Sequence, residues 1–344
     1  VSIFTYDIWI GLKLLFMANL ETTYMGLKLR NPIVVGSSGL TNSFENILEI
    51  ERSGAGAVVL KSLFEEQINQ VANQVFDRGD FSNYYPEALD YINNYSTEND
   101  VTTYLDLIKK CKSEISIPVI ASINCMGDKE WTSFAAKIEE SGADALELNI
   151  FVLPSDVNKS SAENEKIYFD IIKKVTAEVN IPVAIKLSYY FSGLAKMMEM
   201  LSWTKIKGLV LFNRFFSPDI DIDNFEVKST NVFSSPADLA QSLRWVAMLS
   251  DKLDCEVSSS TGVHSGEAAI KQLLAGAQTV QIASVLYKKG IREIAVIIDF
   301  INKWMDKKGF SIIEDYRGKM CVKKTENPAG WERVQFMKYF SAID

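Results

Sequence analysis

Two lysines directly follow apolar runs in this chain, Lys61 after Ala57-Val58-Val59-Leu60 and Lys186 after Pro182-Val183-Ala184-Ile185. An ammonium group at the end of a buried run requires a negative partner, because an unpaired buried charge is costly. An anionic ligand would serve, and so would a structural ion pair with Glu147. Asn124, Asn149 and Asn213 also close apolar runs. A carboxamide offers both a donor and an acceptor, so these three could read the edge of a planar heterocycle carrying carbonyl and imide groups, or could satisfy loop backbone. Ser259 to Gly266 reads SSTGVHSG, a small-residue turn ahead of a helical pattern, and Ala283-Ser284 ends the next apolar run. Backbone N–H groups at such turns bind phosphate, although small residues also make ordinary turns and His264 could simply start a helix.

Composition removes several other chemistries. The chain has 344 residues, of which 47% are hydrophobic and 23% charged, which excludes disordered, collagenous and coiled-coil classes. A formal net charge of −8 lacks the electrostatic footprint of a nucleic-acid binder. His264 is the single histidine, so no His-rich metal site can form. Cys111, Cys125, Cys255 and Cys321 are scattered without a C-x-x-C pair, which excludes a zinc knuckle or iron–sulfur cluster built from this chain alone and fits a reduced, cytoplasmic protein. No metal is expected.

The elements that must position these residues are legible as apolar runs at 33–35, 57–60, 118–123, 145–150, 182–187, 208–212, 255–258 and 279–282. Between them lie segments with apolar residues at helical spacing, such as Ile270, Leu273 and Leu274. Ser43, Asp128, Ser235 and Ser265 are placed as N-caps, and Gly54, Gly142 and Gly276 as left-handed helix ends two residues before a strand. Alternating buried strands and amphipathic helices predict an α/β protein, a (β/α)8 barrel, with an open doubly wound sheet as the alternative. The absence of a G-x-G-x-x-G after any strand weighs against that alternative. Residues 20–30 are expected to form a hairpin plugging the barrel bottom. The segments 64–100 and 214–234 exceed ordinary connections and are expected to be lids, binding loops or an oligomer contact. In a barrel, Ser37, Lys61, Asn124, Asn149, Lys186, Asn213, Thr261 and Ser284 would all stand at strand C-termini, where ligands bind.

Residues 1–16 are apolar but too short to span a bilayer and carry Asp7 and Lys13. They are expected to be an extension of a functional protein that begins near Met17, with a membrane-associating helix as the alternative. Residues 17–344 are expected to form one ligand-binding barrel domain.

The runs NPIVVGSSG, AGAVVLKS, ALELN, PVAIKL, TGVHSGEAAI and LLAGAQTVQIAS together resemble the flavin-dependent dihydroorotate dehydrogenases, particularly the soluble class 1 enzymes, over nearly all of residues 19–319. The resemblance implies an FMN-binding barrel that oxidises dihydroorotate to orotate in pyrimidine biosynthesis. It implies Ser37, Lys61 and Ser62 beside the flavin and Lys186 at its pyrimidine edge. Asn149 and Asn213 would lie between flavin and substrate, with Asn124 nearby, and Thr261, Gly262, Ala283 and Ser284 would hold the phosphate. Lys61, Asn149 and Asn213 would also contact substrate. A homodimer and a soluble electron acceptor or separate reductase subunit are implied as partners.

One segment departs from the family pattern. Relatives carry a Cys or Ser base in an L-N-x-S-C-P-N-like stretch, whereas this chain reads Leu148-Asn149-Ile150-Phe151-Val152-Leu153-Pro154. The loop that grips the orotate ring is also absent from 81–91, which reads FSNYYPEALDY. A base must reach the proton it takes, and Ser155 and Cys125 are the nearest candidates in sequence. A flavin oxidoreductase for another small substrate, or a flavin- or phospholigand-binding protein without turnover, are the alternative functions.

Overall fold

The computed structural model describes residues 18–64, 98–125, 132–215, 217–230 and 232–333. Eight parallel strands close into a barrel: β3 (Ile33–Val35), β4 (Ala57–Val59), β6 (Val119–Cys125), β7 (Ala145–Ile150), β8 (Val183–Leu187), β9 (Gly208–Leu211), β12 (Glu256–Ser260) and β13 (Thr279–Ile282). Val58 pairs with Val119 and Val280 with Ile33, so no edge is left open. The predicted runs match these strands to within a few residues, and closure removes the open-sheet alternative. The runs at 118–123 and 255–258 are each displaced by one to two residues towards their C-terminal ends.

The strands form here because their residues are buried on both faces. Every residue of β8 is buried, including Lys186. Outside the barrel, helices lay an apolar stripe on the sheet: Phe134, Ala135 and Ile138 of Thr132–Glu140 are buried, as are Ile270 and Leu273 of Gly266–Ala275. Local signals set the boundaries. The Ser43 hydroxyl accepts from the Asn46 N–H and that of Ser265 from the Ala268 N–H, each satisfying a donor that the first helical turn leaves unpaired. Gly276 ends its helix at φ 115°, which a β-carbon would disfavour. Ser235 instead opens the short 3-10 turn Pro236–Asp238, which runs into the helix Leu239–Leu249. Asp128 lies outside the described residues.

The expected hairpin is present. β1 (Thr22–Tyr24) pairs antiparallel with β2 (Leu27–Leu29), and Tyr24, Met25 and Leu29 pack against Val34, Ala57, Val59, Ile120, Ala145 and Ala184 of the barrel strands. A β-carbon at Gly208 would lie 2.7 Å from the Tyr24 hydroxyl oxygen, so this glycine makes room for the plug. Burial pushes the Tyr24 phenol well above its ordinary pKa. The barrel is therefore closed at its bottom, and its interior is reached from the strand C-termini.

Both long connections carry structure that the sequence reading did not assign. After β4, β5 (Leu63–Phe64) adds alongside β6, with Leu63 opposite Ile123. Most of 64–100 lies outside the described residues, as do residues 1–17. After β9 the chain forms a second hairpin, β10 (Ser217–Asp221) with β11 (Glu226–Thr230), in which Ile220 faces Val227 across the pair and both are exposed. Among the described residues, no helix is long and apolar enough to cross a membrane.

Candidate functional site

The strand C-termini surround a cavity of about 560 Å³, within the range of small-molecule sites. All the positions expected to hold a cofactor line it: Ser37, Lys61, Ser62, Asn124, Asn149, Lys186, Asn213, Thr261, Gly262, Ala283 and Ser284. Strand periodicity accounts for part of this gathering. Side chains alternate across a strand, so Glu147 and Asn149 of β7 share the barrel-facing side. Asn149 lies opposite Lys186 in the parallel register, and the Asn213 amide donates to Asn149 Oδ1 at 2.9 Å. These two asparagines are therefore tied to each other.

Lys186 has the ion-pair partner foreseen for it within reach. Its Nζ donates to Gln281 Oε1 at 2.9 Å and stands 3.6 Å from Glu147 Oε1, while the Gln281 amide donates to Glu147 Oε2 at 2.6 Å. The structural ion pair thus exists, and the same lysine still lines the cavity. Gln281 was absent from the sequence reading. A glutamine inside the fully buried strand Thr279–Ile282 was the available signal, since buried polar side chains need partners.

At the opposite wall, a hydroxyl chain runs from Ser37 to Ser62 at 3.0 Å and on to Ser122 at 2.8 Å. The turns after β12 and β13 lie side by side. The Thr261 hydroxyl donates to the Phe212 carbonyl at 3.1 Å, and that of Ser284 accepts from the Ser234 N–H at 3.0 Å. Both side chains are thus engaged in shaping the turns. Lys288 Nζ donates to the Ser234 carbonyl and Lys289 Nζ to the His264 carbonyl, which brings positive charge to these turns. His264 is more than a helix-start residue, since its Nε2 lies 2.9 Å from Ser234 Oγ. Its pKa is held below the ordinary value by burial and then by Lys288.

Gly262 is fixed by both conformation and space. Its φ is +81°, and a β-carbon there would lie 2.1 Å from the backbone nitrogen of Leu239. Gly262→Ala is expected to destabilise the protein by about 2–5 kcal/mol, combining left-handed strain with overpacking against rigid backbone. Denaturant unfolding measures this, and an unchanged midpoint would mean that the turn relaxes freely.

The remaining wall is aromatic. Phe151 and Phe215 line the cavity with ring centroids 4.3 Å apart, as do Phe233 and Tyr287 at 4.9 Å. Arg214 also lines the cavity and pairs with Asp238 at 3.3 Å. Burial acts to raise the Asp238 carboxyl, but hydrogen bonds from Ser235 and the Arg214 charge hold it below the usual carboxylate range.

Of the two candidate bases, the structure keeps Ser155 away from this site. Ser155 is exposed, its N–H donates to the Leu153 carbonyl, and it does not line the cavity. The chain turns outward after Phe151, which carries Ser155 away from the barrel mouth. The Cys125 side chain lies outside the described residues. Val152 packs against the hydrophobic core, and its neighbour Phe151 is the residue that faces the cavity. Among the described lining residues there is no carboxylate, thiol or imidazole. Likewise, no group of His, Cys, Asp and Glu side chains suited to a metal ion is found among the described residues.

Comparison with known proteins agrees with the family resemblance. Residues 19–305 match the family described as dihydroorotate dehydrogenase. The catalytic subunit of dihydroorotate dehydrogenase B (NAD(+)) from Thermoplasma acidophilum is 27% identical over 307 residues, covering 88% of this chain and 99% of the relative. Dihydroorotate dehydrogenase A (fumarate) from Lactococcus lactis subsp. lactis is 25% identical over 317 residues, with 88% and 99% covered. A crystal structure of dihydroorotate dehydrogenase from Eimeria tenella in complex with ferulenol superposes with a TM-score of 0.64 at 14% identity, covering 91% of this chain and 93% of that one, a likeness of fold. With the family match spanning most of the chain and the expected positions gathered around one cavity, this protein belongs to the dihydroorotate dehydrogenase family.

Proposed function

We propose that the protein is an FMN-dependent oxidoreductase acting on a small CH–CH substrate, with dihydroorotate as the family precedent. The observation that carries this reading is the convergence of all the family-patterned cofactor positions on one cavity. The donor set fits the group. Asn124 Oδ1 and Ser38 Oγ are buried at the cavity without a hydrogen-bond partner, so the site holds polar atoms that a bound heterocycle or phosphate could satisfy.

In this reading Lys186 offers positive charge to the flavin's pyrimidine edge, and Ser37, Lys61, Ser62 and Asn124 surround the ring. The turns at Thr261-Gly262 and Ala283-Ser284 take the phosphate, with Lys288 and Lys289 reinforcing the field. Bound FMN supplies the acceptor for a hydride leaving the substrate. Asn149 and Asn213 orient the substrate beside Lys61, and the barrel plug keeps water from entering below.

A second reading keeps FMN and changes the substrate. Val152 stands where relatives carry a base, and Phe151 and Phe215 form an apolar wall, so a substrate less polar than dihydroorotate is favoured by this surface. Reoxidation falls to a soluble acceptor or a separate subunit, because the described barrel carries neither an iron–sulfur motif nor a nicotinamide fingerprint. We place the protein in the cytoplasm as a homodimer. The purified protein is expected to be yellow or to take up FMN on reconstitution, with a light-scattering mass of two chains. A colourless protein that takes up no FMN would overturn the central reading, and a mass of one chain would overturn the dimer.

A further inference from the structure

Three side chains, two of which line the cavity, form a closed set within the barrel. Glu147 and Gln281 stand on β7 and β13, strands opposite one another in the ring, and Lys186 stands on β8 beside Glu147. All three are buried, with 1% of Glu147, 2% of Gln281 and 7% of Lys186 exposed. The amide of Gln281 spans the barrel. It donates to Glu147 Oε2 at 2.6 Å and accepts from Lys186 Nζ at 2.9 Å. Glu147 Oε1 receives no hydrogen bond and lies 3.6 Å from Nζ, longer than direct contact. The carboxylate is therefore held just short of the ammonium by the amide that grips both. Gly36 contributes by lacking a side chain, since a β-carbon there would lie 3.2 Å from Gln281 Oε1.

This arrangement has a consequence for charge. A lysine in full contact with a carboxylate presents little positive field, whereas one held apart presents more of it to the cavity that it lines. We propose that Glu147, acting through Gln281, is a positioning residue that sets how much positive charge Lys186 presents to the cavity, and so sets the site's preference between reduced and oxidised flavin. The proposal rests on the FMN reading above. Its logic is electrostatic: the reduced ring carries more negative charge at its pyrimidine edge, so whatever strengthens the lysine's field favours that state. Gln281 is the spacer, and Glu147 is the counter-charge.

The test is the midpoint potential of FMN bound to the full-length protein, read by dye-coupled reduction. Glu147→Gln removes the counter-charge and is expected to raise the potential, binding reduced FMN about tenfold or more tighter relative to oxidised FMN than the wild type does. Gln281→Leu removes the spacer, lets Glu147 close on Lys186, and is expected to lower the potential. Glu147→Asp keeps the charge on a shorter arm and is expected to shift the potential in the same direction as Glu147→Gln, by less. Opposite shifts from the glutamine and leucine variants distinguish this device from a merely structural role, which would lower FMN occupancy without moving the potential in two directions. Should Glu147→Gln fail to fold, the Gln281→Leu and Glu147→Asp shifts decide the matter. Flavin bound at unchanged potential in the folded variants would overturn this inference alone. A protein that binds no FMN would overturn it together with the reading on which it rests.

Discussion

Dihydroorotate is expected to bleach the FMN-loaded protein about 10² to 10⁴-fold more slowly than it would with a positioned base, while dithionite bleaches it at an ordinary rate. The expectation follows from the cavity wall. A proton on carbon must be taken by a group within hydrogen-bond reach, yet the described lining residues include no carboxylate, thiol or imidazole. Of the two lysines that line the cavity, Lys186 is paired with Glu147. Restoring a thiol at the family position offers a second measurement. Val152 packs into the core and does not line the cavity, so Val152→Cys is expected to leave dihydroorotate bleaching slow. Ser155→Ala is likewise expected to change nothing, because Ser155 is exposed and outside the cavity. Rapid bleaching of the unmodified protein by dihydroorotate would sink this expectation. A further loss in Ser155→Ala would show that the loop folds over the site during turnover.

Lys186→Met is expected to destabilise the protein by about 3–5 kcal/mol, because it leaves the Glu147 carboxylate buried without its counter-charge. For a chain of this size that corresponds to a fall in melting temperature of roughly 4–7 °C. The double variant Lys186→Met/Glu147→Gln is expected to recover most of the loss, since it removes the stranded charge and leaves Gln281 able to bond the new amide. Thermal denaturation of the two variants beside the wild type decides this. A single variant as stable as the wild type would mean that Glu147 finds another partner or takes up a proton at little cost. The comparison also separates stability from function. Loss of flavin binding in a double variant that has regained its stability would mark the lysine as a ligand in its own right.

Which parts of this protein were legible in its sequence follows from the range of the forces involved. The barrel was, because each strand and helix announces itself locally: a buried strand must be apolar throughout, as at Val183–Leu187, and a helix must end where a residue such as Gly276 can turn left-handed. The positions that line the cavity were legible for a related reason. In a barrel every strand C-terminus faces the same mouth, so a polar residue at the end of an apolar run is directed there by topology alone, as Asn149 and Lys186 are. That Val152 and Leu153, rather than a Cys or Ser, occupy the stretch after Asn149 was legible at once, whatever the fold does with them. Partnership required the tertiary structure. Gln281 lies 134 residues from Glu147 and on the opposite side of the ring, and no local pattern could reveal that its amide joins the carboxylate to Lys186. The orientation of the loop after β7 was equally hidden. Whether Phe151, Val152 or Ser155 faces the cavity depends on where the chain leaves the strand, and packing of Val152 into the core made that choice by turning Ser155 into solvent. The hairpin at 217–230 pairs Ile220 with Val227 while leaving both exposed, so no buried apolar run announced it in the sequence.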